Sequence, residues 1–128
     1  MLQRVADSET MFTDPSLLHL LEATSETELD ALPFGVIKMD KTGIVVAYNL
    51  FESAAAGISP DRVIGFHCFT VVAPCTNNYM VASRFEDELE LDVAMDYVFT
   101  LRMRATPVRL RLLKSADVAH MYMLVTWQ

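Results

Sequence analysis

The sequence contains few of the residues that mark disordered, disulfide-stabilised or membrane-spanning chains. Its 128 residues include 4 glycines, 5 prolines and 2 cysteines, Cys68 and Cys75. So few glycines and prolines argue against a low-complexity chain, and two cysteines build no disulfide framework. No stretch approaches the ~20 apolar residues of a membrane helix, and the N-terminus lacks the apolar segment of a signal peptide. We therefore expect a cytoplasmic protein with free thiols and no membrane association.

Basic residues are also scarce, because 10 lysines and arginines stand against 17 acidic residues, for a net charge of −7. Nucleic-acid binding requires a clustered basic surface, so we expect no nucleic-acid partner. Arginines do alternate late in the chain, and we interpret them as the solvated face of two strands, with binding of an anionic partner as the alternative: Arg102, Arg104, Arg109 and Arg111. His67, Cys68 and Cys75 do not match a zinc spacing, which predicts that there is no metal site.

The hydrophobic content of 52% is sufficient for the core of one domain. Residues 1–13 are interpreted as a loose leader and residues 14–32 as a helical cap. Asp14, followed by proline, is typical of a helix start, and Ser25 with Glu28 matches a capping box for a second helical turn.

The rest of the chain alternates between strand and helix patterns. Gly43, in the turn sequence DKTG, is expected to adopt a left-handed conformation between two strands. In chain order the predicted elements are a β-hairpin (36–48), a short helix (49–57), a helical turn (59–65), an apolar connection (66–78), a longer helix (79–91) and three strands (96–104, 106–114 and 120–128). This order predicts an α+β fold, with a five-stranded antiparallel sheet and helices packed on one face.

The order of elements is that of a PAS sensor domain, and three stretches narrow the resemblance. The three stretches are LPFGVIKMDKTGIVVAYNLFES, VIG and VVAPCTNN. Together they resemble the photoactive yellow protein family over roughly residues 26–128. One motif is a cysteine that follows Ala-Pro and precedes threonine. The other is Tyr-Asn followed three residues later by glutamate. The two motifs together are specific for that family. The resemblance divides the chain into an N-terminal cap, residues 1–32, and a PAS core, residues 33–128.

The resemblance implies a blue-light photoreceptor with p-coumaric acid attached through a thioester to Cys75. By the same match, Tyr48 and Glu52 would hydrogen-bond the phenolic oxygen, and the backbone amide of Cys75 would hold the carbonyl oxygen. Five further residues fall at positions that line the family's pocket or speed its dark recovery: Ile37, Val72, Ala73, Phe99 and Met103. Isomerisation would be followed by proton transfer from Glu52 and by release of the cap.

Physical chemistry supports these roles. A phenol titrates near ~10 in water, and donors such as Tyr48 and a protonated Glu52 favour its anion. Glu52 keeps its proton only where it is desolvated, and its sequence neighbours are expected to supply an apolar setting: Phe51, Ala54, Ala55 and Ala56. A buried carboxylate left without a partner is costly, which would open the cap as the output.

The chain departs from the family pattern at several positions. Ala56 replaces the usual threonine, Ile58 the usual arginine, Leu101 a frequent tyrosine and Cys68 a usual phenylalanine. A threonine hydroxyl at position 56 would orient Tyr48, so its loss leaves the absorption maximum and the speed of the photocycle open.

Other interpretations stay open. Cys75 could be a buried thiol, as Cys68 is expected to be. A competing class is a PAS domain that senses another ligand, for example haem held by His67, Met103 or Cys75, or a pigment-free interaction module. The three histidines, including His19 and His120, have no evident carboxylate partner and are interpreted as structural or surface residues.

We expect no enzyme activity, because the sequence contains no catalytic Cys–His motif and no phosphate-binding loop. The expected partner is a downstream signalling protein or a fused output domain, and self-association as a homodimer is left open.

Overall fold

The computed structural model describes residues 9–101 and 103–127, with Leu101 described by its backbone alone. Five antiparallel strands form one sheet in the order β2-β1-β5-β4-β3, which confirms the predicted α+β fold. The strands are β1 Gly35–Asp40, β2 Val45–Tyr48, β3 Leu91–Leu101, β4 Arg104–Lys114 and β5 His120–Trp127. No helix within the described ranges is long and apolar enough to cross a membrane.

The predicted hairpin is present as β1 and β2. Asp40 closes its turn, because its Oδ1 accepts hydrogen bonds from the backbone of Thr42 at 2.8 Å and of Ile44 at 3.1 Å. Gly43 has φ 92°, the left-handed conformation that the sequence predicts and that glycine adopts without steric cost. The local turn chemistry therefore decides this part of the fold.

The end of the chain differs from the prediction in two places. The helix predicted over residues 79–91 is shorter, Ala82–Asp87, because Glu88 already has extended backbone angles. β3 ends at Leu101 and β4 begins at Arg104, so the connection predicted at residues 105–106 lies earlier in the chain, and Met103, just before β4, has φ 62°. Pro107 is inside β4 opposite Val98, and the first pair of β4 with β5 among the described residues is Val108 with Trp127. Proline has no N–H to donate, and it is found at the ends of strand pairing rather than in its middle.

Two hydrophobic clusters lie on opposite faces of the sheet, since neighbouring strand residues alternate between them. Ile37 and Met123 belong to one cluster, with the helix Ala82–Asp87, and Val36 and Leu124 belong to the other. The second cluster also contains the buried leucines of the helices Leu17–Glu22 and Glu26–Leu29. The N-terminal cap therefore covers the face of the sheet opposite to the other helices.

The cap is more ordered than the sequence predicts. Residues 9–12 are helical, and Phe12 is buried with its ring edge-on to Phe34 at 5.5 Å. The expectation of a loose leader is wrong for these residues, whereas residues 1–8 lie outside the described part. The next helix begins at Leu17, so Asp14 is not its N-cap; its Oδ1 instead accepts from the backbone of Ser16 at 2.8 Å.

The capping box of the second cap helix is present. The Ser25 hydroxyl accepts from the backbone of Glu28, and the Glu28 carboxylate accepts from the backbone of Ser25 at 3.0 Å. Two helix N–H groups that would otherwise lack a partner are satisfied in this way. The prediction from the sequence is confirmed.

Polar contacts join the cap to the sheet. The Tyr122 hydroxyl donates to Glu22 Oε2 at 2.5 Å, and His120 Nδ1 lies 2.9 Å from the same oxygen. The expectation that His120 has no carboxylate partner is therefore wrong, because a contact between the cap and β5 joins residues that are 98 positions apart. His19 is exposed, 4.0 Å from Asp117.

Arg111 is the second polar junction. It is only 5% exposed, so its interpretation as a solvated strand residue is wrong. Its Nη1 donates to the carbonyls of Phe12 and Asp14 at 2.8 Å each. Arg104 is exposed and Arg109 half-buried, while Arg102 lies outside the described residues. A buried guanidinium needs such partners, and the cap supplies two of them.

Candidate functional site

A small cleft, with about 50 Å³ of space for a water-sized probe, lies between the sheet and the helix Leu50–Ala56. Nine of the ten residues selected from the sequence line it: Ile37, Tyr48, Glu52, Ala56, Ile58, Val72, Ala73, Cys75 and Phe99. Pro74, Thr100 and Trp127 complete the lining. Met103 lies outside the cleft, because its side chain is 97% exposed in the turn between β3 and β4.

Asn49 places Tyr48 and Glu52 in the cleft. It follows the last residue of β2 and caps the helix Leu50–Ala56, and its Oδ1 accepts from the backbone of Glu52 at 3.1 Å. Its amide also donates to the carbonyls of Leu29 at 2.9 Å and Phe34 at 3.0 Å. One buried side chain therefore connects the cap, the first strand region and the helix that carries Glu52.

Glu52 is the buried residue of its helix, only 2% exposed. Burial raises the pKa of its carboxyl to about 7, although a hydrogen bond from Trp127 lowers it in part. Its sequence neighbours do not supply the apolar setting, because Phe51, Ala54 and Ala55 are exposed. That setting comes from the residues across the cleft, and it favours the protonated acid near neutral pH.

Tyr48 presents a hydroxyl that can donate into the cleft. Within residues 9–101 and 103–127 no group is hydrogen-bonded to this hydroxyl. Burial, with the nearby Glu52 and Cys68, raises the pKa of Tyr48 above its usual value. The phenol is therefore a protonated donor at neutral pH.

Cys75 lines the same cleft from the short 3-10 turn Pro74–Thr76. Its carbonyl accepts from the Tyr97 hydroxyl at 2.6 Å and from the Asn78 amide at 3.2 Å. The Thr76 hydroxyl closes the turn by donating to the Ala73 carbonyl at 2.6 Å. These contacts hold the turn while the partly exposed thiol of Cys75 lines the cleft.

Cys68 has the opposite character. It is fully buried, and burial raises the pKa of its thiol to about 12. The expectation that Cys68 is a core residue is confirmed, and the two cysteines are both free. A nucleophilic thiol must be accessible, so Cys75, which lines the cleft and is partly exposed, is the reactive candidate.

Trp127, at the end of β5, was missed by the sequence reasoning. Its indole Nε1 donates to Glu52 Oε1 at 2.9 Å, and its ring packs edge-on against Phe99 at 5.5 Å. Tyr97 continues this aromatic row, 6.1 Å from Phe99. Glu52 and Trp127 are 75 positions apart, so no local pattern indicates their contact.

The residues considered for haem are not gathered in the cleft. Only Cys75 of the three lines it, since Met103 is exposed and His67 Nδ1 accepts from the backbone of Phe69 and Thr70 at 3.3 Å each. Among the described residues no group of three or more His, Cys, Asp or Glu side chains could hold a metal ion. The side chain of Leu101, which stands where the family often has tyrosine, is not among those that the structure describes.

No family model matches the chain. The photoactive yellow protein of Rhodothalassium salexigens is 36% identical over 90 residues, which cover 68% of this chain and 72% of that protein. This chain belongs to the photoactive yellow protein family.

Solved structures agree with membership of the photoactive yellow protein family. The photoactive yellow protein domain of the sensor histidine kinase Ppr from Rhodospirillum centenum is 35% identical, with a TM-score of 0.77 over 85% of this chain and 98% of that domain. The PAS domain of an HTR-like protein from Haloarcula marismortui, at 13% identity, has a TM-score of 0.64 over 80% of this chain and 93% of that domain, which shows the fold alone. The chain is thus a PAS-fold member of a light-sensing family.

Proposed function

We propose that the protein is a blue-light photoreceptor that holds p-coumaric acid as a thioester of Cys75. One observation carries the proposal. A single cleft contains an accessible thiol, Cys75, together with two buried donors, Tyr48 and a Glu52 acid whose pKa is raised to about 7. That combination suits a ligand with an acyl group at one end and a phenolate at the other.

Attachment would use an activated p-coumaric acid as the acyl donor. The Cys75 thiolate would attack the acyl carbon and form the Sγ–acyl bond, while the activating group would leave with its bonding electrons and the thiol proton would go to solvent. The backbone N–H of Cys75 has no hydrogen-bond partner among the described residues, so it is free to hold the carbonyl oxygen of the bound acyl group. The Tyr97 and Asn78 contacts keep this turn in place.

The Tyr48 and Glu52 donors would hold a phenolic oxygen as its anion, because both hydrogen bonds favour the charged form. Bound in the cleft, p-coumaric acid would supply the light absorption and the double-bond isomerisation. After isomerisation Glu52 would give its proton to the phenolate oxygen, and its carboxylate would remain in a site where burial disfavours the charge.

Asn49 offers a route from Glu52 to the cap. Its side chain accepts from the backbone of Glu52 and donates to the carbonyl of Leu29, which belongs to the second cap helix. A shift of the helix Leu50–Ala56 therefore strains a contact with the cap. Illumination should raise amide exchange in the N-terminal cap more than in the sheet, and a change confined to β3–β5 would contradict this output.

Reconstitution tests the attachment. The apoprotein is incubated with an activated p-coumaric acid, and intact mass and absorption are recorded. One coumaroyl mass and a yellow pigment are expected, lost in Cys75→Ala and kept in the matched variant Cys68→Ala. Modification at Cys68, or at neither cysteine, would show the assignment to be wrong.

The output partner is proposed to be a fused output domain or a separate signalling protein. The Rhodospirillum centenum domain that resembles this chain is itself part of a sensor histidine kinase. PAS domains serve many functions, so the pigment is what separates this proposal from a pigment-free interaction module. A colourless protein that rejects the activated acid would favour the module.

A further inference from the structure

The two oxygens of the Glu52 carboxyl are not equivalent. Oε1 accepts the hydrogen bond from Trp127 Nε1 at 2.9 Å. The same oxygen lies against Gly35, where an added Cβ would come within 1.9 Å of Oε1 and 2.9 Å of Cδ. Gly35 thus leaves room for the carboxyl group, and Trp127 supplies a donor to one of its oxygens.

We propose that Trp127 is a positioning residue for Glu52, which makes Oε1 the hydrogen-bond acceptor and leaves Oε2 to carry the transferable proton. An indole N–H can only donate, so the oxygen that it contacts must accept. When the proton leaves, the same N–H donates to a carboxylate, and a hydrogen bond to a charged group is stronger than one to a neutral group. Trp127 would therefore also stabilise the Glu52 anion that the proposed light reaction forms.

Trp127 is well held for this role. It pairs with Val108 at the end of β5, and its ring packs edge-on against Phe99. Trp127 lines the same cleft as Glu52. It approaches the carboxyl group from the sheet, opposite the helix that carries Glu52.

Other titratable groups around Glu52 do not account for a response near neutral pH. Tyr48 faces it from the end of β2, and burial raises the pKa of that phenol. Cys68 faces it from the helical turn Cys68–Val72, and burial raises the pKa of that thiol to about 12. Cys75 lines the same cleft, and the variant Cys75→Ala excludes it as the source of the titration.

The contact is tested in the apoprotein, without pigment. The chain contains one tryptophan, so the indole N–H gives one cross-peak in a ¹⁵N–¹H spectrum. We expect that peak to shift with a midpoint near pH 7 in the wild type and in Cys75→Ala, and to stop titrating in Glu52→Gln. A peak that stays fixed between about pH 5 and pH 9, or that moves equally in Glu52→Gln, would overturn the proposal.

A second pair of variants separates positioning from general packing. Gly35→Ala should displace Oε1 and abolish the titration of the indole peak. Gly65→Ala controls for general destabilisation: its φ of 93° makes alanine strained there, but an added Cβ meets no heavy atom within 4 Å, so the titration should persist. If the titration of the indole peak is lost in both variants, or in neither, the proposed position of the Glu52 carboxyl group against Gly35 is contradicted.

Trp127→Phe keeps an aromatic ring and removes the donor. The pKa of Glu52, followed by the ¹³C shift of its carboxyl carbon, should rise by about one unit, a tenfold change in proton affinity. An unchanged or lowered pKa would overturn the proposal.

The role in the light reaction rests on the proposed function, whereas the contact does not. If reconstitution fails but the indole peak titrates, the proposed pigment is refuted and the contact between Trp127 and Glu52 stands. If reconstitution succeeds but the indole peak stays fixed, the contact is refuted and the pigment stands.

Discussion

Arg111 and Asp92 form a bidentate ion pair between β4 and β3, with Nε–Oδ1 and Nη2–Oδ2 distances of 2.9 Å each. The same guanidinium donates to two carbonyls of the N-terminal segment, those of Phe12 and Asp14. The cation is buried while Asp92 is 53% exposed, so the carboxylate orients Arg111 from the solvent side. The first segment of the cap is thereby attached to the sheet.

The variant Asp92→Asn tests this attachment. It keeps the shape of the side chain but removes the charge that pairs with Arg111, so the free energy of unfolding should fall by about 1 kcal/mol, discounted for the exposure of Asp92. Urea denaturation measures the loss, and amide exchange should rise in residues 9–14. Glu88→Gln is the control, because it breaks only a surface pair with Arg84 and should leave both measurements nearly unchanged. Equal effects of the two variants would contradict a special role for Arg111.

The proposed phenolate site makes a prediction for the reconstituted protein. Tyr48→Phe removes one donor, so the pKa of the bound phenol should rise by about one unit, for a lost charge-assisted bond of ~1.5 kcal/mol. Glu52→Gln should keep the phenolate but shift its absorption to the red, because an amide donates more weakly than a carboxylic acid. Spectra recorded during an acid titration measure both effects. If neither variant changes the spectrum or the titration, the phenolic end does not lie at these residues.

Glu52 also predicts how the stability of the apoprotein depends on pH. Its pKa is about 7 in the folded protein against 4.5 for the ordinary side chain, so the folded state binds an extra proton between these values. The resulting stability is fully present below pH 4.5 and is lost as the pH rises through 7. The loss is on the order of 3 kcal/mol.

The difference between wild type and Glu52→Gln isolates this contribution, because the other titrating groups are common to both proteins. Denaturation at several pH values should show wild type losing stability relative to Glu52→Gln as the pH increases. A difference that stays constant with pH, or grows in the opposite direction, would show that Glu52 is ionised in the folded state.

The two thiols should differ in reactivity before any pigment is added. Cys75 lines the cleft and is partly exposed, whereas Cys68 is buried with its pKa raised to about 12. Because the thiolate is the reactive form, iodoacetamide should modify Cys75 in the native protein and reach Cys68 only after unfolding. Peptide mass mapping checks the site, and native modification of Cys68 at a comparable rate would contradict the burial.

Features that depend on near neighbours in the chain were predictable. Gly43 at φ 92°, the capping box of Ser25 and Glu28, and the helix that starts after Asn49 and stops at Gly57 all follow from local backbone chemistry. Cap and turn preferences arise within three or four residues, so a single sequence contains them. The motif around Cys75 was recognisable for the same reason, since its neighbours are part of the pattern.

Contacts between distant parts of the chain were decided only by the tertiary structure. Trp127 reaches Glu52 across 75 positions, and Arg111 reaches the Phe12 carbonyl across 99. Both depend on the register of β4 and β5. Met103 lies outside the cleft because β3 ends at Leu101 and β4 begins at Arg104, which places Met103 in the exposed connection between these strands. Strand periodicity shows which residues share a face but not which partner lies opposite, because a register shift changes every pair at once. The sequence therefore determined the types of group in the cleft, and the packing of sheet, helix and cap decided their partners and proton affinities.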